Sequence, residues 1–169
     1  MALPKKLKAF NLFNNGENYV GQVAEVTPPK LTRKTEAYRG GGMNGPIDLD
    51  FGQEAIALEW TCGGLMKSVL QQYGITKHDG VQLRFAGAYQ SEDATRPDAV
   101  EIIVRGRHKE IDFGNAKSGD DTTFKVSTSC SYYKLSINGE AIIEIDLINM
   151  IEKVNGDDLL ASLRNAIGL

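Results

Sequence analysis

Little in this chain is equipped for chemistry. Its 169 residues include two histidines, two cysteines and one tryptophan. No apolar run approaches the ~20 residues needed to cross a bilayer, which leaves no membrane-spanning helix to expect. The start, Met-Ala-Leu-Pro-Lys-Lys-Leu-Lys, is charged, but no apolar stretch of signal-peptide length follows it, so nothing marks the chain for export. Cys62 and Cys130 lack metal-ligand spacing and read as small buried apolar groups, which fits folding in a reducing cytoplasm. No Gly-x-Ser-x-Gly elbow is present. Gly40-Gly41-Gly42 is not followed by the Lys-Ser/Thr pair of a phosphate-binding loop. Gly-Asp-Asp occurs at 119–121 and at 156–158 without further acidic ligands at regular spacing, so turn chemistry and helix capping explain both.

His108, with Glu110 and Asp112 two and four residues on, is the one arrangement that could suggest a base with an orienting carboxylate. With no nucleophile in sight, a solvated strand face accounts for it better. A nucleic-acid-binding module would need a basic stripe interleaved with aromatics. The net charge is −3, and Lys30, Arg33, Lys34 and Arg39 are the only candidate cluster. No cofactor, metal or catalytic residue is expected.

What is present is β-branched residues in the middle of the chain and 18 glycines, a balance that favours a turn-rich β protein. The length suits one domain with its own core. The pattern predicts strands at 19–26, 54–60, 81–90, 99–113, 123–137 and 140–146. Asn138-Gly139 supplies the strongest hairpin signal. Core positions are Ile56, Trp60, Leu83, Phe85, Ile102 and Val104, from their alternation. Leu65, Met66, Val69, Leu70 and Tyr73 recur at helical spacing ahead of Gly74 and predict a short packed helix near 64–73. Leu159, Leu160, Leu163 and Ile167 predict a second, C-terminal helix, with Arg164 and Gly168 at its end. The expected fold class is therefore mainly β, antiparallel and sandwich- or barrel-like, with two short helices.

Charge is unevenly spread. Residues 1–39 hold seven basic groups against Glu17, Glu25 and Glu36, a balance of +4. Residues 40–60 hold Asp48, Asp50, Glu54 and Glu59 and no base, a balance of −4, and residues 140–169 hold six acids against Lys153 and Arg164, again −4. Opposite charge on different surfaces of one subunit can set orientation in head-to-tail assembly. Residues 30–52 mix bases, glycines and Asn44-Gly45-Pro46 with little periodicity, as a functional loop or a partner-ordered arm does.

The run Pro29-Lys30-Leu31-Thr32-Arg33-Lys34-Thr35-Glu36, with Tyr38-Arg39-Gly40-Gly41-Gly42-Met43 after it, resembles the major tail tube proteins of contractile-tail phages and R-type bacteriocins. The likeness continues through Arg105-Gly106-Arg107, Lys109-Glu110-Ile111-Asp112 and Tyr132-Tyr133-Lys134-Leu135. It resumes at Glu144-Ile145-Asp146, Asn149, Asn155-Gly156, Arg164-Asn165 and Gly168-Leu169, spanning the whole chain.

The resemblance implies a β-sandwich or barrel-like subunit that closes into hexameric rings, stacked head to tail as a tube inside a sheath. It implies as partners the sheath, baseplate hub, tail terminator and tape-measure proteins, with DNA in the lumen of a phage tail. The setting it implies is a virion or bacteriocin particle assembled in the bacterial cytoplasm, with no membrane insertion. In these terms residues 1–169 form one tube domain with an N-terminal arm (1–16), a long inter-subunit loop (30–52) and a C-terminal arm (147–169). Candidate interface residues are Leu31, Arg33, Lys34, Tyr38, Arg39, Met43, Asp48, Asp50 and Arg164. A conduit wall needs short side chains and no grip on phosphates, which points to Ala55, Ala57, Glu59, Ser127, Ser129 and Ser131. Arg105, Arg107 and Lys109 are then expected on the rival face. A secretion-system tube protein and a small nucleic-acid-binding β-barrel are the alternative readings.

Overall fold

A computed structural model describes all residues, 1–169. Twelve strands and two short helices follow one another along the chain. The strands are β1 (Lys6–Asn14), β2 (Glu17–Asn18), β3 (Val23–Thr27), β4 (Arg33–Tyr38), β5 (Ile47–Gln53) and β6 (Ile56–Cys62). After helix α1 (Lys67–Gln71) come β7 (Val81–Gln90), β8 (Asp98–Asp112), β9 (Phe124–Ile137), β10 (Glu140–Asp146), β11 (Ile151–Val154) and β12 (Asp157–Asp158), then helix α2 (Ala161–Ala166). The architecture is mainly antiparallel β, as the alternation predicts.

The long strands β8 and β9 organise everything else. They pair with each other along nearly their whole length. On its other side β9 is shared: its first half, Phe124–Cys130, pairs with β6, and its second half, Tyr132–Ile137, with β10. One sheet therefore continues β12-β11-β10-β9-β8-β7-β1-β2, while β6 carries β3 as a short outer strand on the other branch. The register shifts between Arg105 and Gly106, where the two branches part. Gly106 is obligatory there, because a Cβ would lie 1.8 Å from the Ser129 carbonyl oxygen.

The core sits where the two branches face each other. Leu12, Leu58, Val81, Leu83, Val104 and Val126 are its fully enclosed centre. Ile56, Trp60, Phe85 and Ile102 join them, as their alternation requires. Both cysteines are free and buried, and burial pushes the Cys62 thiol up to about 11 and Cys130 up to about 12. Asn138 and Gly139 both take positive φ, 52° and 82°, and close the β9–β10 hairpin as their sequence predicts.

Several expectations change. Residues 1–16 are not a free arm: Lys6–Asn14 is a strand of the main sheet, paired with β7. Lys5 and Lys8 of that strand region pair with Asp98 and Glu92 of the same chain, which neutralises part of the basic N-terminus internally. Helix α1 is shorter than 64–73, and only Met66 and Val69 of its stripe are buried, with Leu70 half-buried. Leu65 and Tyr73, read as packed, stand 69 % and 63 % exposed. Residues 147–169 are not wholly an arm either, since β11 extends the sheet through Ile143–Asp146.

Candidate functional site: an amphipathic hairpin and two exposed faces

Residues 30–52 are not a loop. They build the hairpin β4–β5, a two-stranded sheet of its own. The sequence alternates well enough to form it, but short polar residues hide the period. Tyr38 stands opposite Ile47 and Glu36 opposite Leu49, while Ala37 faces Asp48 and Thr35 faces Asp50. Directly opposed residues share a face. One face therefore carries Tyr38, Ile47 and Leu49, with Phe51 in alternation, and the other carries Asp48 and Asp50. The apolar face has no cover: Tyr38 is 54 % exposed, Ile47 51 % and Phe51 57 %. A lone two-stranded ribbon is marginal in water and needs something against its apolar side.

The base of the hairpin is firmly held. Arg33 donates from Nε to Asp50 Oδ2 at 2.9 Å and from a terminal nitrogen to Glu152 Oε1 of β11 at 2.7 Å. Those hydrogen bonds raise the Arg33 pKa, and the Arg33 guanidinium first, then the Gly52 amide, lower that of Asp50. The Glu54 amide donates to the Thr32 carbonyl at 2.8 Å. At the tip Arg39 Nε donates to the Met43 carbonyl at 3.2 Å. Of the candidate interface residues, Leu31, Arg33, Lys34, Tyr38, Arg39, Asp48 and Asp50 are exposed and Met43 half-exposed, all brought together on this projection. Arg164 is elsewhere. It donates to the Met150 carbonyl at 2.8 Å and pairs with Asp158, clamping α2 to the residue ahead of β11 and to β12. Around it Leu159, Leu163 and Ile167 remain more than half exposed.

The second surface is the outer face of β6, β9 and β8. Ala57 stands opposite Ser129, which stands opposite Arg107. In the next row Glu59, Ser127 and Glu110 align, and then Thr61, Lys125 and Asp112. Four of the residues expected to share a surface, Ala57, Glu59, Ser127 and Ser129, thus do so. Ser131 departs from the row, its hydroxyl donating to the His78 carbonyl at 3.1 Å. Ala55 lies exposed just ahead of β6. The expectation that Arg105, Arg107 and Lys109 occupy a rival face fails, because register places Arg107 beside Ser129. Arg107 is occupied by the Thr76 carbonyl at 3.3 Å and Arg105 stacks on the Tyr132 ring at 4.3 Å. Lys109 sits in a bulge between His108 and Glu110.

That bulge also settles His108. It turns Glu110 to the outer face and leaves His108 on the core face, 6 % exposed. His108 is not solvated, and no carboxylate orients it. Its Nδ1 lies 3.0 Å from Thr128 Oγ1 and its Nε2 lies 2.9 Å from Gln72 Oε1. Gln72 and Asn14 exchange amide hydrogen bonds at 3.0 and 2.7 Å, and Asn14 donates on to Tyr19 at 3.2 Å. The Tyr19 hydroxyl meets Ser68 at 2.7 Å. This chain of side chains ties α1 to β1, β8 and β9, and burial lowers the His108 pKa to about 4. The alternation Ile102, Val104, Gly106, His108 points the imidazole inward and was the sequence signal for it.

Comparison with known proteins agrees with this architecture. The family model for phage tail tube protein FII matches residues 4–168. The tail tube protein of Escherichia phage P2 is 51 % identical over the full length of both chains. The major tail tube protein of Serratia phage KSP20 is 42 % identical, over the whole of this chain and 99 % of its own. Among solved structures, the tube-terminating cap of the anti-feeding prophage superposes with TM-score 0.60 at 12 % identity, covering 80 % of this chain and 93 % of its own. The sheath/tube terminator of an extracellular contractile injection system gives 0.59 at 10 % identity, covering 80 % of this chain and 99 % of its own. At such identities these structures share the fold, whereas the two phage proteins and the family model share the sequence from end to end: this chain belongs to the phage tail tube protein FII family.

Proposed function

We infer that this chain, a tail tube subunit, forms hexameric rings that stack head to tail as the inner tube of a contractile tail. The observation that carries the reading is the β4–β5 hairpin, which projects an uncovered apolar face from a firmly pinned base. A surface of this kind belongs inside an assembly. Within a ring, the outer edge of β3, which pairs only with β6, offers free backbone groups to a neighbour's sheet. Pairing it would remove an open edge and close an inner barrel.

The sheath surrounds the tube, a terminator and a baseplate hub close its ends, and a tape-measure protein, with DNA in a phage, occupies the lumen. The solved relatives by fold are themselves sheath-tube and terminator assemblies. The particle is a virion or a headless bacteriocin, built in the bacterial cytoplasm. The role is structural, in keeping with the family. Negative-stain microscopy with native mass spectrometry of the purified chain tests this. Hollow tubes or sixfold rings are expected; a protein that stays monomeric at every concentration and salt overturns the reading.

A further inference from the structure

Asn-Gly occurs at 15–16, 44–45, 138–139 and 155–156. Asparagine is a labile side chain, and ahead of glycine it can react without an enzyme. The glycine amide nitrogen attacks the asparagine Cγ, a C–N bond forms and ammonia leaves. Water then opens the five-membered imide at either carbonyl, giving aspartate or isoaspartate with no change of oxidation state. The attack needs a free side-chain amide and a backbone that can bring the glycine nitrogen to the Cβ side of the Cα–C bond.

Three of the four sites are held away from that geometry. Asn15, Asn138 and Asn155 take φ of 48°, 52° and 54°, and the glycines after them 85°, 82° and 87°. Each pair is the left-handed turn of a two-residue hairpin, a conformation that points the next nitrogen away from Cβ. Two of the side chains are also occupied. Asn15 Oδ1 accepts from the Gln82 amide at 2.9 Å, and Asn138 accepts from the Ala99 amide at 2.9 Å and donates to Asp98 at 3.1 Å. Asn155 is exposed with a free side chain, so its turn alone restrains it.

Asn44-Gly45 differs on every count. Neither residue has a positive φ. The tip turn closes at Met43, whose amide donates to the Gly40 carbonyl at 3.2 Å, and strand pairing resumes at Ile47. Between these points Asn44 and Gly45 make no hydrogen bond, and Asn44 is exposed. A Cβ built on Gly45 would have nothing within 4 Å, so an imide ring has room to close. Arg39, donating to the Met43 carbonyl at 3.2 Å, places a cation near the amide that must lose its proton, and a nearby cation favours the deprotonated form.

We propose that Asn44-Gly45 is a self-modification site of the free chain, which converts to aspartate and isoaspartate while the other three asparagines persist. The product adds a negative charge near Arg39, and isoaspartate adds one main-chain carbon just ahead of Pro46. The site does not rest on the tube reading. The test is peptide mapping by mass spectrometry, with enzymatic methylation of isoaspartate, after incubating unassembled chain at mildly alkaline pH, folded and in urea. The rate of each site in urea supplies its unrestrained reference. In the folded chain Asn44 should stay near its reference rate. Asn15, Asn138 and Asn155 should fall below theirs by about tenfold or more, the factor that an opening cost of ~1.4 kcal/mol imposes. Gly45→Ala, which the open space accommodates, should leave melting unchanged and slow conversion at Asn44 alone. Folded-state conversion of Asn155 as close to its reference as that of Asn44 overturns the proposal. So does an Asn44 that persists in the folded chain while converting in urea, or one whose conversion Gly45→Ala leaves unchanged.

Discussion

Acid should loosen the free subunit in a pH window that belongs to His108. The imidazole is buried among Trp60, Thr128 and Gln72, with its ring centre 6.1 Å from that of Trp60, and no carboxylate contacts it. Its pKa falls from 6.5 to about 4 on folding, because burial penalises the charged form. Below pH 6.5 the unfolded chain takes up a proton that the folded chain refuses. Stability is therefore unaffected above the unfolded pKa and declines as pH falls towards the folded one. The slope approaches about 1.4 kcal/mol per pH unit, for a total of up to about 3 kcal/mol.

The carboxylates held low by hydrogen bonds from basic partners, Asp50, Glu92, Asp98 and Asp158, also lose stabilisation as pH falls. They do so from about their unfolded values near 4 downward, so the interval from 6.5 to 5 isolates the histidine. Urea unfolding of non-assembling subunits at pH 7, 6 and 5, followed by circular dichroism, should show the decline in the natural chain and not in His108→Gln. Parallel pH profiles for the two proteins, or an NMR titration that places the His108 imidazole near 6.5, would refute the argument.

Other perturbations follow from the same geometry. Gly106→Ala should lower the urea midpoint by the equivalent of about 1–3 kcal/mol or more, because the new methyl meets backbone on β9 rather than a side chain that can swing away. A wild-type midpoint would mean that the β8–β9 crossing is looser than its register implies. Leu70→Ala should cost less than the ~2–5 kcal/mol typical of a fully buried leucine, since Leu70 is only half enclosed; a loss within that range would place it deeper. Amide exchange in residues 33–53 should be fast in the free subunit and slow in tubes, and equal protection in both would take the hairpin out of the interface.

The central strands could be read almost to the residue. The predicted 81–90 and 140–146 coincide with β7 and β10, because each alternates cleanly and is bounded by turn residues. The first strand was missed: Phe10 and Leu12 alternate, but Asn14 continues their row and looks like a surface residue. It is buried at 2 % only because Gln72, 58 residues on, satisfies its amide. Long-range pairing of polar groups leaves no local trace. The same holds for β4–β5, where Lys34 and Glu36 interrupt the apolar row that the structure completes with Ile47, Leu49 and Phe51. Arg107 was misassigned relative to Ser129 for a related reason. Alternation states which residues of one strand share a face, while only register states which strands share it.

That register sharpens the expectation for the lumen. The outer face of β3, β6, β9 and β8 presents Glu25, Glu59, Glu110 and Asp112 against Arg107 and Lys125, a balance of −2 per subunit. Arg107 leans on the Thr76 carbonyl, which leaves Lys125 among four carboxylates. A wall of this kind repels phosphate and offers a passing polyanion no row of cations to bind. If this face lines the tube, Ser129→Cys should react with a bulky thiol reagent quickly in free subunits and slowly in long tubes, where the reagent can enter only from the ends. The buried native cysteines give little background. Charge provides a second arm: changing Glu59 and Glu110 together to lysine should leave subunit melting nearly unchanged, as surface substitutions do, but make intact tubes retain short DNA in a salt-dependent manner. Equal labelling in tubes and subunits, with no gain in DNA retention, would put β6 and β9 on the outer wall and send the search for the lumen to the opposite branch of the sheet, beyond β7 and β1.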